Sequence, residues 1–224
     1  MNCRHCNSKL EHEFIDLGKA PPSNNYISKD NYHTKEQTFP LRVMVCNHCW
    51  LVQTQDFSKA NELFTDEYAY FSSTSKSFLA HSKNYVSEIT SLLKLNDKSF
   101  VVELASNDGY LLENFVRLGI PCLGIEPTKS TAKVSREKGI ETVEEFFGTD
   151  FAKQLSKNKK ADLIIGNNVY AHVPDINDFT CGIKELLSPN GTVTLEFPHL
   201  VELVKNNQFD TIYHEHYSYL SLFS

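Results

Sequence analysis

From residue 99 onward, short apolar runs alternate with stretches of helical period. Phe100, Val101 and Val102, closed by Glu103 and Leu104, predict a strand over 99–104. Leu111, Leu112, Phe115, Val116 and Leu118 fall at helical spacing and predict a helix after it. The rhythm recurs, predicting strands over 121–125, 140–143, 162–166 and 192–197. Helices fill the gaps, for instance 177–187 with Phe179, Ile183, Leu186 and Leu187. Such alternation implies a parallel sheet flanked by helices, an α/β fold. Ser188-Pro-Asn-Gly191 reads as a tight turn before the fifth strand. Upstream, Phe78, Leu79, Val86, Ile89, Leu92 and Leu93 predict a helix over 76–94, with serine and threonine available to cap it. Residues 56–64 read as a linking helix, 18–25 as a loop, and 14–17, 41–45 and 50–54 as strands.

The first part of the chain is marked by cysteine. Cys3-Arg-His-Cys6 and Cys46-Asn-His-Cys49 are two Cys-x-x-Cys pairs. Each can form a tight knuckle that aims two thiolates at one point, and two knuckles make a tetrahedral four-sulfur site suited to Zn²⁺. The strands predicted on either side of the second pair fit a zinc ribbon. Four cysteine ligands would close the site, which makes it structural. Unligated thiols or two redox pairs are the alternative, and His5, His12 and His48 lie near enough to substitute as ligands. The expected division is a zinc-binding β domain over 1–65 and a second domain over 66–224.

Composition narrows the function. The 224 residues are 41% hydrophobic and 22% charged, enough for a sizeable core, and the net charge of -6 argues against nucleic acid as the main partner. No apolar run is long enough to cross a membrane, and the N-terminus lacks an apolar signal core. A cytoplasmic location is therefore expected, and in a reducing compartment the cysteines are not read as disulfides.

In parallel sheets of this kind the ligand lies beyond the carboxyl ends of the strands. Those positions hold Ser106, Asn107 and Gly109 after the first strand, Glu126 after the second, and Glu144, Glu145, Phe146 and Phe147 after the third. Asn167, Asn168, Tyr170 and His172 follow the fourth, and Glu196, Pro198 and His199 the fifth. Gly-x-Gly-x-x-Gly is absent, which weakens a dinucleotide reading, and there is no P-loop motif. A small polar turn plus an acid after the second strand suits a ligand with a ribose and no pyrophosphate, because an ionised carboxylate only accepts hydrogen bonds. S-adenosylmethionine is such a ligand. Tyr68 and Tyr70 read equally as core packing and as a cover over the ligand.

Residues 210–219 carry the densest chemistry: Tyr213, His214, Glu215, His216, Tyr217 and Tyr219. Histidine moves protons near neutral pH and a carboxylate can orient it. A metal site or a surface loop is the alternative, though no helical His-Glu-x-x-His spacing occurs.

Four stretches resemble the sugar C-methyltransferases of bacterial deoxysugar pathways. They are the paired Cys-x-x-Cys, Tyr-Phe-Ser-Ser-Thr-Ser at 70–75, Glu-Leu-Ala-Ser-Asn-Asp-Gly-Tyr-Leu-Leu at 103–112 with Gly-Ile-Glu-Pro at 124–127, and Asn-Asn-Val-Tyr-Ala-His-Val-Pro-Asp at 167–175 with Tyr-His-Glu-His-Tyr-Ser-Tyr-Leu-Ser at 213–221. The resemblance implies a Rossmann-like methyltransferase core behind the zinc-binding domain. It implies that Glu103, Ser106, Asn107 and Gly109 line the methionine side of S-adenosylmethionine, with Tyr70 also at the cofactor. Glu126 takes the ribose, Phe146 flanks the adenine, and Asn168 and His172 face the active site. Tyr213, Glu215 and His216 form the catalytic cluster, with His216 as the base. The implied substrate is a nucleotide-linked 4-keto sugar, deprotonated at C3 before the enolate takes the methyl group.

Methyltransferase sheets of this type usually have two more strands, and family members continue into a C-terminal domain. The expectation is therefore a core truncated after its fifth strand, with a separate C-terminal chain or an oligomer partner completing it. An O- or N-methyltransferase, or a non-catalytic zinc-bearing fragment that binds a partner, stay open as alternatives; a zinc-containing RNA methyltransferase is disfavoured by the charge.

Overall fold

A computed structural model describes residues 1–24, 26–56 and 70–224. The predicted helix over 56–64 falls almost entirely outside these residues, as does Tyr68. The chain divides into two compact units. One comprises 1–65, 168–177 and 196–224; the other comprises 66–167 and 178–195. The division is not a single cut near residue 65, because two later segments group with the N-terminal residues.

In the first unit, β1 (His12–Ala20), β2 (Phe39–Val45), β3 (Val52–Thr54) and β9 (Ser218–Tyr219) form one sheet in the order β1-β2-β3-β9. The pairs are antiparallel, with Val52 opposite Tyr219 and Gln53 opposite Ser218. β1 is longer than the four residues expected from sequence. Its burial alternates (Ile15 and Leu17 half-buried, Asp16 exposed), the signature of a strand with one solvated face. Trp50 and Leu51 do not join β3: Trp50 has φ +64°, an uncommon backbone for a large side chain, and closes the second knuckle instead. A core of Leu41, Val43, Val52, Leu203, Ile212 and Tyr219 packs these strands with α6 (Leu200–Lys205). Full burial of such side chains is worth about 1.5–3 kcal/mol each. This is why residues far apart in sequence form one unit.

In the second unit, β4 (Val101–Leu104), β5 (Cys122–Ile125), β6 (Thr142–Val143), β7 (Ala161–Asn167) and β8 (Leu187–Glu196) lie in the order β6-β5-β4-β7-β8. β4 pairs in parallel with β5 and β7, and β5 with β6. This is the doubly wound order, with its switch point beside β4. The fully buried Val101, Val102 and Leu104 fit a strand covered on both faces. The helices are α1 (Lys76–Leu93), α2 (Leu112–Arg117), α3 (Lys129–Glu137), α4 (Thr149–Ser156) and α5 (Ile176–Leu186). Ser75 Oγ caps α1 by accepting from the Phe78 amide at 3.3 Å, and Lys94 at φ +55° ends it.

The turn expected at 188–191 is not there. α5 ends at Leu186, and these residues already belong to β8, which runs from Leu187. Proline is tolerated because β8 is an edge strand. Gly191 reflects close packing: a Cβ on it would stand 2.8 Å from the Ala161 carbonyl oxygen. Proline and glycine here mark an edge and a close approach, which sequence cannot tell from a turn.

Candidate active site and metal centre

Both cysteine pairs adopt the same turn. The Cys3 amide donates to the Ser8 carbonyl and the Asn7 amide to the Cys3 carbonyl; Cys46, Leu51 and Trp50 repeat the pattern. Asn7 and Trp50, four residues after each first cysteine, both have positive φ. The four sulfurs lie within 4.8 Å of one another, with Cys3–Cys49 and Cys6–Cys46 at 3.5 Å. A tetrahedral zinc with Zn–S bonds of about 2.3 Å needs sulfurs roughly 3.8 Å apart, so the cluster fits the ion. N–H groups point at two of the sulfurs, His48 N at Cys46 and Gln53 Nε2 at Cys3, as suits thiolates. His5 and His48 are not ligands in this geometry; His5 Nδ1 bonds Asn177 Oδ1 at 2.8 Å.

At the carboxyl end of β4 the backbone enters the left-handed region at Ala105, Asn107 and Gly109. A Cβ on Gly109 would lie 2.3 Å from Ile140 Cδ1 and 2.7 Å from Ser135 Oγ, so only glycine lets the turn settle so low. Glu126, buried at the end of β5, accepts the Asn107 amide on Oε2 at 2.8 Å and the Thr128 amide on Oε1 at 2.9 Å. The Thr128 and Thr131 side chains also hydrogen-bond the carboxylate, which as an ion only accepts, the chemistry that suits ribose hydroxyls. Burial raises the Glu126 pKa, opposed by the Thr128 and Asn107 amides. Glu103 is 1% exposed, and its Oε2 has no hydrogen-bond partner among the described residues. Burial holds its carboxyl well above the usual range, and Glu126 and Asp108 add to the effect. A cationic amino group at Oε2 would reverse that penalty, so Glu103 and Glu126 fit the charged and sugar parts of S-adenosylmethionine.

Asn107 ties the turn to the segment before α1. Its Oδ1 accepts the Ser72 amide at 2.9 Å and its Nδ2 donates to the Tyr70 carbonyl at 3.1 Å. Tyr70 is thereby held at the turn with its side chain half exposed, and Phe146 is similarly exposed after β6. Ser106 is fully buried, with its Oγ over Gly124 of β5 and no hydrogen-bond partner among the described residues.

The histidine cluster lies wholly within the first unit. His216 Nδ1 is 2.8 Å from the Thr211 carbonyl oxygen, which can only accept, so Nδ1 carries the proton. Nε2 therefore presents a lone pair, and Tyr213 Oη donates to it at 2.9 Å. His172 Nδ1 donates to the Glu215 carbonyl at 2.9 Å, and the His172 and His216 ring centroids are 4.5 Å apart. Burial pushes His172 down to about 3, with the His216 ring adding to the shift, and burial also lowers His216 against the Thr211 carbonyl. Both rings are neutral at neutral pH. Glu215 points away from them: its carboxylate accepts from Ser23 Oγ at 2.8 Å and Asn24 Nδ2 at 3.1 Å.

Set against known proteins, residues 77–224 match the family model described as "Methyltransferase domain". The chain belongs to the methyltransferase domain family. Residues 3–64 of this methyltransferase-family chain match the model described as "Putative zinc binding domain". The "C-methyltransferase NovU" of Streptomyces niveus is 35% identical over 221 residues, 98% of this chain and 52% of that protein. A "Ubiquinone biosynthesis O-methyltransferase" of Pasteurella multocida is 27% identical over 105 residues, 42% of this chain and 43% of that protein. The chain thus spans about half the length of these curated relatives or less. In structure it is similar to a SAM dependent methyltransferase from Archaeoglobus fulgidus, with a TM-score of 0.54 and 16% identity over 64% of this chain and 63% of that one. That likeness concerns the Rossmann-like fold.

The structure of this methyltransferase-family chain gathers Tyr70, Glu103, Ser106, Asn107, Gly109 and Glu126 around one turn, and Tyr213, His216 and His172 into one cluster. Glu215 supplies its carbonyl to His172, while its carboxylate anchors the 23–24 loop. Asn168, at φ +52°, belongs to the first unit and donates to Glu196 Oε1 at 3.1 Å. Sequence reasoning missed Ser23 and Asn24, which read as loop composition, and the Thr211 carbonyl, which has no side-chain signal. Arg4, inside the first Cys-x-x-Cys, was not singled out either.

The depressed histidines give a signed prediction. Between about pH 6.5, the ordinary imidazole value, and about 3, an unfolded chain binds protons that folded His172 refuses. Stability therefore falls as pH drops through that window. Thermal melts of His172→Asn should show a shallower loss over the same range; an unchanged slope would show that the ring is not held neutral.

Proposed function

We propose that this chain carries the cofactor-binding and proton-abstracting groups of an S-adenosylmethionine-dependent C-methyltransferase. Its substrate in this reading is a nucleotide-linked 4-keto deoxysugar, taken from the cytoplasm. The observation that carries the reading is the neutral His216, fixed through Nδ1 on the Thr211 carbonyl and hydrogen-bonded through Nε2 to Tyr213 Oη. An uncharged imidazole with an oriented lone pair is a general base, and C-methylation, unlike transfer to an alcohol already bearing lone pairs, requires a carbon acid to be deprotonated. The likeness to the C-methyltransferase NovU over nearly the whole chain supports the same reaction class.

In this reading each residue has a role. The ketone at C4 acidifies the C3–H bond. As that bond breaks, Tyr213 Oη takes the proton and passes its own to His216 Nε2, leaving an imidazolium and an enolate. His172, held neutral beside it, adds no competing positive charge. Glu126 accepts from the ribose hydroxyls, Glu103 from the amino group of the methionine part, and Tyr70 and Phe146 cover the nucleoside, with Ser106, Asn107 and Gly109 shaping the turn. Asn168 faces the active site on the cofactor's side. S-adenosylmethionine supplies an electrophilic methyl group. Cys3, Cys6, Cys46 and Cys49 would hold zinc through four sulfurs, a closed set that would give the ion a structural role.

The test is solvent exchange. The chain is incubated in deuterium oxide with a 4-keto deoxysugar nucleotide and no S-adenosylmethionine, and C3 is followed by mass spectrometry and proton NMR. Incorporation of one deuteron at C3 is expected. A chain shown by calorimetry to bind the nucleotide sugar, yet inert in exchange, would rule out carbanion chemistry and leave an O- or N-methyltransferase.

A further inference from the structure

Arg4 lies between two zinc ligands, yet its side chain serves neither sulfur. Its side chain is only 6% exposed and reaches three acceptors on two segments, 54–56 and the one that holds Pro174. Nη1 donates to the Pro174 carbonyl at 2.8 Å, and Nη2 to the Thr54 carbonyl at 3.1 Å and to Asp56 Oδ1 at 2.7 Å. The guanidinium carbon stands 5.2 Å from the centre of the Tyr217 ring. Pro174 is two residues after His172, and Tyr217 is next to His216. Arg4 therefore touches both histidine-bearing segments at once, from inside a metal knuckle.

The second knuckle reaches the same place through β3. Gln53 donates to Cys3 Sγ at 3.2 Å and accepts the Arg4 amide at 2.9 Å. Thr54 Oγ1 donates to the His216 carbonyl at 3.0 Å, and the Thr54 amide to the Tyr217 carbonyl at 3.2 Å. The histidine segments are also joined directly, by the Tyr217 amide on the Ala171 carbonyl at 2.8 Å. Each segment is thus tied to the four-sulfur cluster by hydrogen bonds of 2.8–3.2 Å.

We infer that Arg4 is a positioning residue for the proton-abstracting pair: it sets the separation of His172 and His216 from the metal site. Its planar fork suits this, because one rigid group holds carbonyls on two segments while stacking on a third element; a lysine ammonium on a flexible stem cannot span the same acceptors. The zinc then serves as the fixed point from which the base is aimed. The inference rests on the proposed function only in calling these histidines the base.

The test uses Arg4→Met and Arg4→Lys in the full chain loaded with zinc. Metal content is expected to stay at one zinc per chain in both. Backbone amide exchange should speed up by about tenfold or more in peptides covering 168–177 and 213–219, and stay as in the parent chain for β1–β2. The NMR titration midpoint of His172 should move up from about 3 toward the ordinary imidazole value as water gains access. Arg4→Lys should resemble Arg4→Met, since charge alone does not bridge the segments. Loss of zinc, or acceleration spread evenly through β1 and β2, would assign Arg4 to the folding of the knuckle and overturn the proposal; so would unchanged exchange in both peptides. None of these readouts depends on methyl transfer, so a failure of the carbanion test leaves them interpretable.

Discussion

Replacement of His216 by asparagine is expected to slow deuterium exchange at C3 of a 4-keto sugar nucleotide by on the order of 10³-fold, the usual span for loss of a general base. Asparagine can still donate to the Thr211 carbonyl, so the loop keeps its anchor. What disappears is the Nε2 lone pair that accepts from Tyr213. Binding of S-adenosylmethionine should change little, because Glu103, Glu126 and the 105–109 turn are untouched. Tyr213→Phe should lie between the parent chain and His216→Asn, since it breaks the relay and spares the imidazole. Calorimetry with the cofactor, run beside the exchange assay, separates loss of chemistry from loss of fold. A His216→Asn chain that exchanges C3 at the parental rate would remove His216 from the mechanism.

Removal of zinc is expected to be the largest structural perturbation. For small zinc domains the free energy of metal binding, about 10–16 kcal/mol at neutral pH, is largely folding free energy. Cys3 and Cys46 are buried among Leu10, Met44, Leu51, Ile176 and Leu220, so four metal-free thiolates there would be mutually repelling and poorly solvated. Chelation, or Cys46→Ser, should abolish amide protection across β1–β3 and across 213–219 together, while β4, β5 and β7 keep theirs. The joint loss follows because, among the described residues, β3 is the neighbour of β9 in its sheet. Hydrogen exchange with mass spectrometry reads it directly, and metal analysis gives the zinc stoichiometry. Full protection of 213–219 in zinc-free protein would show that the histidine segment stands without the metal.

Much of the architecture was legible from residue types. The doubled Cys-x-x-Cys pointed to four sulfurs that do converge, because a knuckle is a local turn whose ligand directions depend on a handful of residues. The strand-turn-acid pattern from 99 to 126 was legible for the same reason: Glu126 bonds the amide of Asn107 across one tight crossover. Ser188-Pro-Asn-Gly191 misled, since proline and glycine report permitted backbone and not which permission is used. That β8 begins at Leu187 was decided by the packing of Gly191 against Ala161.

The partners of the histidine cluster were not legible. Glu215 looked like the carboxylate that orients His216, yet it holds Ser23 and Asn24, some 190 residues away in sequence, while a backbone carbonyl orients the imidazole. Backbone carbonyls are identical at every residue and leave no mark in a sequence.

By itself, then, the sequence determined which local elements form, where four thiols could meet, and which side chains can accept a ribose or a proton, because propensity, periodicity and ligand chemistry act over a few residues. The tertiary structure alone decided that 168–177 and 196–224 join the N-terminal strands, that Arg4 bridges both histidine segments, and which nitrogen of His216 is basic. Those outcomes depend on long-range burial and on hydrogen bonds to the backbone, and both exist only once the chain has packed.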